Sequence, residues 1–122
     1  MTKYIIVFIG SGIGGGFRYL VSSVAFKIFP IIFPFGTLIV NLLGSFLLGL
    51  FIYGLGDKEL ISPNVRLFLG VGLCGGFTTF SSFTLETMNL LKDSQFLFAG
   101  LNILANVLLS LIGIYLAYII TR

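Results

Sequence analysis

Two polar lines run through parts of the sequence that are otherwise apolar. The first consists of Thr37, Asn41 and Ser45, spaced four residues apart. The same spacing returns near the C-terminus in Asn102, Asn106 and Ser110. Residues four apart share one face of a helix. Such a face either bonds to neighbouring helices or lines a hydrated path for an ion, and spacing alone leaves both interpretations open.

The stretch "GLCGGFTTFSSFTLE", residues 72–86, interrupts an apolar segment with glycines and hydroxyls. Gly75 and Gly76 each cost about 1 kcal/mol inside a helix, and Thr78 and Thr79 add β-branched stiffness. The pattern therefore predicts a helix that breaks near 75–79. Backbone groups freed inside a membrane need protein, water or an ion as partners, and freed carbonyls can hold a cation.

Two phenylalanines and a carboxylate follow this predicted break. Phe80 and Phe83 are three residues apart and share a helical face, and Glu86 is the only acid within an apolar segment. A phenyl ring is electropositive at its edge, so the edge can face an anion. Ordinary core packing is the alternative role for either ring.

Arg18 lies within the glycine-rich stretch "GSGIGGGFRY", residues 10–19. The glycines predict that another helix packs closely against this one. Arg18 itself must reach the membrane surface, pair with a carboxylate such as Glu86, or lie in a wet vestibule where its charge attracts anions. The sequence leaves structural pairing and the vestibule equally open.

Several other chemistries are excluded by the residues present. One cysteine, Cys74, and no histidine allow no intrachain disulfide and none of the usual zinc or haem ligand sets. No nucleophile with a paired base can be assembled, so we do not expect an enzyme. The seven Lys and Arg residues are scattered singly, so we expect no nucleic-acid partner.

The elements that position these residues are membrane helices. The chain is 57% hydrophobic and 9% charged, with a mean hydropathy of +1.14. A helix of about 20 apolar residues crosses the roughly 30 Å hydrocarbon core of a bilayer. The apolar stretches predict an all-α integral membrane protein with four transmembrane helices per subunit, the third broken near Gly75–Thr79. The expected spans in this single domain, residues 1–122, are about 4–29, 35–55, 67–91 and 96–120.

Basic residues flank the predicted spans almost evenly. On the side of the two termini lie Lys3, Lys58, Arg66 and Arg122, and on the other side lie Lys27 and Lys92. Such a weak charge bias permits insertion in both orientations, and hence an antiparallel pair of copies. Because four helices enclose little room for a polar path, we expect the chain to form a homo-oligomer.

With these features the chain resembles the Fluc family of fluoride channels, also called CrcB proteins. The resemblance lies in "GGGFRY" (14–19), "PFGTLIVNLLGSFLLGL" (34–50) and "GLCGGFTTFSSFTLE" (72–86), and it extends over nearly the whole chain. The most specific signal is the combination of residues 75–83 with the asparagine-bearing second span. The glycines of the first span are weak signals alone.

The resemblance implies a dual-topology homodimer whose two subunits lie antiparallel in the cell's inner (plasma) membrane. Two parallel pores would passively export fluoride from the cytoplasm and so relieve fluoride toxicity. The implied partners are fluoride, a second copy of the chain and membrane lipid. A structural sodium ion at the dimer centre, held by the main-chain carbonyls of Gly75 and Thr78, is the one implied cofactor.

The family's functional residues map onto this sequence by the same resemblance. Phe80 and Phe83 correspond to pore phenylalanines that offer ring edges to fluoride, and Asn41 corresponds to the pore asparagine. The role of the first-span arginine, Arg18, stays open. The implied polar track contains Thr37, Glu86, Asn102, Asn106 and Ser110.

Two other interpretations compete with the channel. A small multidrug-type proton-coupled exporter has a similar length and four spans, but that family has a carboxylate in the first span and uses tryptophan. This chain has Arg18 there and no tryptophan. A purely structural subunit, in which every polar residue only joins helices, predicts no ion flux from the reconstituted protein.

Overall fold

The computed structural model describes residues 1–122, and the chain is helical almost throughout. Four helices are long and apolar enough to cross a membrane, which confirms the predicted number of spans. We number them in chain order as spans 1 to 4. Their bounds are Thr2–Ile28, Phe35–Gly56, Pro63–Lys92 and Phe96–Thr121.

The ends of the spans follow from local sequence. Span 1 stops at Ile28 because Phe29 is extended, with φ −99° and ψ 154°, as expected for a residue that precedes a proline. Span 3 starts at Pro63, where the missing N–H is no loss, and the Ser62 hydroxyl accepts a 3.2 Å hydrogen bond from the Val65 N–H.

Spans 2 and 3 are not regular α-helices along their whole length. Span 2 is α-helical over Phe35–Gly49 and π-helical over Leu50–Gly56. Span 3 is π-helical over Phe68–Cys74. Both π-helical segments contain two glycines, which favour the α-helix least among residues other than proline, and π-turns often accompany functional sites. The second of them leads directly to the segment predicted to unwind.

Helical backbone in span 3 stops at Phe77 and resumes over Ser81–Lys92. Thr78 between them is extended, with φ −83° and ψ 160°. Gly75 is itself helical, with φ −61° and ψ −39°. The glycines are therefore not the residues whose backbone leaves the helix, and a different constraint must explain them.

For Gly76 that constraint is close packing between span 1 and residues 63–77, whereas a Cβ on Gly75 would meet only the Gly70 carbonyl, at 3.7 Å. A Cβ on Gly10 would lie 2.9 Å from the Gly72 Cα, and a Cβ on Gly14 would lie 2.8 Å from the Phe77 nitrogen. A Cβ on Gly76 would lie 2.8 Å from the Ser11 Cα. The expected role of the span 1 glycines holds for Gly10 and Gly14 only, because Cβ atoms on Gly12 and Gly16 would meet nothing within 4 Å.

The remaining contacts complete the bundle. Span 2 packs along span 4, where a Cβ on Gly49 would lie 2.6 Å from the Ala117 Cβ. The second half of span 3, Ser81–Lys92, packs on span 4. Only 19 of the 122 residues are buried, so one chain has little interior of its own.

We predict that Gly14→Ala destabilises the protein, whereas Gly12→Ala does not. The added methyl group at position 14 meets the main chain of Leu73 and Phe77, which cannot move away as a flexible side chain would. Overpacking of this kind costs about 1–3 kcal/mol. Thermal unfolding of both variants in one detergent measures the difference, and equal midpoints would show that spans 1 and 3 are not packed this closely.

Candidate functional site

The predicted polar residues line two cavities, except Asn102, which is fully buried and lines neither. The smaller, of about 310 Å³, lies between spans 2, 3 and 4 beside the interruption in span 3. The larger, of about 790 Å³, opens toward the loop at residues 29–34 and the loop near residue 95. Lining the smaller cavity are Asn41, Gly75, Thr78, Phe80, Phe83, Asn106 and Ser110. Lining the larger are Arg18, Thr37 and Glu86.

Asn41 holds the non-helical backbone of span 3. Its Oδ1 accepts a 2.8 Å hydrogen bond from the Thr79 N–H, and its Nδ2 donates a 3.0 Å bond to the Thr79 carbonyl. The same Nδ2 donates its second hydrogen to the Asn106 Oδ1 at 2.9 Å. One side chain thus replaces both helical partners of Thr79, which hydrocarbon cannot supply.

Gly44 allows span 2 to approach span 3 this closely. It lies three residues after Asn41 and so on the same helical face. A Cβ at Gly44 would collide with the Thr78 side chain and would lie 3.1 Å from a ring carbon of Phe77. Any larger residue at position 44 would push Asn41 away from the Thr79 backbone.

Other groups satisfy much of the remaining backbone at the interruption. The N–H and the hydroxyl of Thr78 both donate to the Cys74 carbonyl at 3.0 Å. The Thr79 hydroxyl accepts a 3.1 Å bond from the Ser82 N–H, as a helix cap does. These bonds lead into the second half of span 3, which begins at Ser81, three residues after the extended Thr78.

Arg18 has a structural contact that the sequence did not reveal. Its Nε donates a 3.1 Å hydrogen bond to the Gly76 carbonyl in span 3. The considered ion pair with Glu86 does not form, and the one salt bridge in the chain joins Arg66 to Asp57 at 3.4 Å. Arg18 still borders the larger cavity, so its positive charge acts on whatever enters there.

The asparagines of spans 2 and 4 bond to one another, which was the first of the two interpretations open from their spacing. The Asn106 Nδ2 donates to the Asn102 Oδ1 at 2.9 Å, and the Asn102 Nδ2 donates to the Thr87 Oγ1 at 2.9 Å. Sequence reasoning overlooked Thr87. A signal was present, because Thr87 is four residues after Phe83 and on its face.

Phe80 and Phe83 form an aromatic pair at the edge of the smaller cavity. Their ring centroids are 5.5 Å apart and their planes meet at 70°, an edge-to-face arrangement. Phe83 is buried at 7% exposure, whereas Phe80 is 75% exposed. Gly75 is also exposed on a single chain, so this edge of the cavity lies open to its surroundings.

Two buried polar atoms lack any partner within the chain: the Ser110 Oγ and one carboxylate oxygen of Glu86. Buried polar atoms are almost always hydrogen-bonded, so an unpaired one indicates a water or an ion. The Ser110 atom lies at the smaller cavity and the Glu86 atom at the larger. The two cavities therefore each contain a polar group available to a solute.

Apolar spans around bonded amides and two cavities bordered by polar side chains define a helical multi-pass membrane protein. Channels and transporters belong to this class. A family model described as CrcB-like protein, Camphor Resistance (CrcB), matches residues 5–118. The chain belongs to the CrcB family, as its motifs had indicated.

Relatives agree with this assignment. The fluoride-specific ion channels FluC of Shewanella sp. (strain ANA-3), Shewanella baltica (strain OS185) and Shewanella oneidensis are each 47% identical to the chain over 116 residues. The matched residues are 95% of this chain and 93% of each relative. Ion channels are not enzymes, and the expectation of a non-enzyme is confirmed on that ground.

We predict that Asn41→Leu loosens the backbone at Thr79. The change leaves the Thr79 N–H, its carbonyl and the Asn106 Oδ1 without their present partners, and each unpaired buried group costs about 1–3 kcal/mol. Hydrogen exchange at the Thr79 amide should accelerate by at least about tenfold. Ser45→Ala is the control, because Ser45 lines the same cavity without bonding to Thr79. Unchanged protection at Thr79 would contradict the assigned role of Asn41.

Proposed function

We propose that the chain is a fluoride-selective ion channel of the cell's inner membrane. Fluoride would leave the cytoplasm passively through it, which relieves fluoride toxicity. The observation that carries this proposal is the 47% identity, over nearly the whole chain, to proteins named fluoride-specific ion channels. The interpretation of the chain as a multidrug-type exporter is no longer supported, because the family is a channel family.

The smaller cavity offers a path suited to fluoride. Fluoride is small and tightly hydrated, so a pore must replace its lost water with several donors. The free hydroxyl of Ser110 is one such donor, and the edge-to-face pair of Phe80 and Phe83 supplies ring edges of positive potential. Asn41 borders the same path, with both amide hydrogens already bonded to protein.

The larger cavity is the proposed entrance to this path. Arg18 provides a fixed positive charge that raises the local concentration of anions. Thr37 and Glu86 lie on the same wall, and one Glu86 oxygen has no partner in the protein. The proposed track therefore runs from Arg18, past Thr37 and Glu86, to the phenylalanine pair.

A second copy of the chain is needed to close the path. The smaller cavity is open on the side of Phe80 and Gly75, and four helices with 19 buried residues enclose no complete pore. We propose an antiparallel, dual-topology homodimer with two pores. The nearly even flanking charge supports insertion in both orientations.

The proposed homodimer would hold a structural sodium ion on carbonyls at the break. Gly75 keeps the helical bond of its N–H, but no helical donor reaches its carbonyl, because the Thr78 N–H bonds to Cys74 and the Thr79 N–H bonds to Asn41. Its carbonyl and that of Thr78 are hard oxygen ligands of the kind that such cations prefer. No cluster of acidic, histidine or cysteine side chains competes for a metal. The residues fit the ion, and a second copy would supply the other half of the ligands.

We predict that liposomes with the purified protein release fluoride much faster than chloride. Phe80→Ile removes the ring edge and should lower fluoride efflux by more than about tenfold. Phe8→Ile is the matched control, because Phe8 is 72% exposed on span 1 and borders neither cavity. Efflux followed with ion-selective electrodes measures all three proteins.

Three results would count against the channel. Equal release of chloride would remove selectivity, and an inert wild-type protein would favour the purely structural subunit. Equal flux through the Phe80 and Phe8 variants would remove the assigned path.

We predict that the protein migrates in mild detergent as two chains of 13.3 kDa each. The exposed edge around Gly75 and Phe80, where the Gly75 carbonyl has no helical donor, requires a partner. Light scattering corrected for bound detergent measures the mass of the assembly. Accessibility of a cysteine added at the N-terminus, probed from each side of the membrane, then tests the orientation. A monomer, or labelling from one side only, would refute the antiparallel dimer.

A further inference from the structure

The five residues that carry both phenylalanines, 79–83, are tied to the bundle at each end. At the first end Asn41 bonds to the N–H and the carbonyl of Thr79. At the other end the Thr87 hydroxyl, one turn further along the same helix, donates a 2.8 Å hydrogen bond to the Phe83 carbonyl and accepts one from the Asn102 amide of span 4. The two ties are connected to each other through Asn102 and Asn106 of span 4.

The hydrogen bonds in this connection all run in one direction. Asn41 donates to Asn106, Asn106 to Asn102, and Asn102 to Thr87, each at 2.9 Å, and Thr87 donates to the Phe83 carbonyl. Each side chain is an acceptor from one neighbour and a donor to the next. Such a series polarises along its length, and the loss of one member leaves its neighbours unpaired.

Asn102 and Thr87 lie behind the cavities, and Asn106 makes its hydrogen bonds to protein. Asn102 is fully buried and Thr87 is 8% exposed, and neither lines a cavity. Asn106 borders the smaller cavity, but its amide hydrogens go to Asn102 and its oxygen accepts from Asn41. The Asn106 amide hydrogens and the Thr87 hydroxyl hydrogen go to protein partners, and the Asn102 amide is fully buried, so these groups do not face an ion.

We infer that Thr87, Asn102 and Asn106 are positioning residues that fix the geometry of the Phe80 and Phe83 pair, and through it the anion that the path accepts. The helix is interrupted at residues 78–80, where the N–H and the carbonyl of Thr79 bond to Asn41, so the helix alone does not set the direction of the Phe80 ring. The hydrogen bonds at both Thr79 and Phe83 set the direction of that ring. This inference rests on the proposed fluoride path.

Thr87 offers the sharpest test, because valine has the shape of threonine without the hydroxyl. Thr87→Val should lower the fluoride-to-chloride permeability ratio by about tenfold, the effect of losing one buried hydrogen bond on an equilibrium. Thr87→Ser keeps the hydroxyl and should stay within about twofold of the wild-type ratio. Reversal potentials in planar bilayers give the ratio independently of how much protein is incorporated.

A second variant separates positioning from folding. Thr87→Val alone leaves the Asn102 amide unpaired, but the combination of Asn102→Leu with Thr87→Val removes both partners. In the double variant Asn106 keeps one acceptor, the main-chain carbonyl of residue 102, which lies 2.9 Å from its Nδ2 in the wild-type structure. The double variant should regain part of the unfolding midpoint that Thr87→Val loses, because the Asn106 hydrogen that it frees borders the smaller cavity and can meet water, whereas the Asn102 amide is fully buried. Its permeability ratio should stay about tenfold low.

The outcomes distinguish the proposal of a fluoride channel from the proposal of positioning residues. A wild-type protein that carries no fluoride overturns both. A conducting wild-type protein whose ratio is unchanged in Thr87→Val and in the double variant overturns the positioning role alone. Equal loss of selectivity in Thr87→Val and Thr87→Ser also overturns it, because the hydroxyl would then not be the determining group.

Discussion

Backbone polar groups cannot remain unpaired in hydrocarbon, and the whole arrangement of this chain depends on how that constraint is met at residues 78–80. Span 3 leaves the helix there, which frees the N–H and the carbonyl of Thr79. Asn41 from span 2 and Arg18 from span 1 bond to backbone on either side of Thr78. Each neighbouring helix thus contributes to the stability of a segment that could not persist alone.

Glycines and asparagines divide this work between them. On the span 1 side, glycines bring two backbones so close that no side chain fits, as Gly10 and Gly72 show. On the side of spans 2 and 4, amides make specific bonds across the gap. The glycines set the distance between spans 1 and 3, and the amides set how spans 2 and 4 are oriented against span 3. The phenylalanine pair lies where both kinds of contact act.

Much of the fold could be predicted from the sequence, because hydrophobic length identifies spans reliably. The periodic positions of Asn41 and Asn106 correctly indicated one helical face each. Their bonding partners could not be predicted, since spacing gives the face of a helix but not the rotation of that helix against another. For the same reason neither the bond from Asn102 to Thr87 nor the bond from Arg18 to Gly76 could be predicted from the sequence. The glycine pair at 75 and 76 was predicted to unwind, whereas close approach to Ser11 explains Gly76 better.

The one-way order of donors from Asn41 to Phe83 has an evolutionary consequence. An amide can be exchanged for a hydroxyl or an apolar group at one position only if its neighbours find new partners, so single replacements pass through a destabilised intermediate. Substitutions along the series are therefore expected to occur together in descendants of this sequence. Correlated substitutions at positions 41, 87, 102 and 106 would therefore record, across related sequences, the donor-to-acceptor series that this structure shows in one protein.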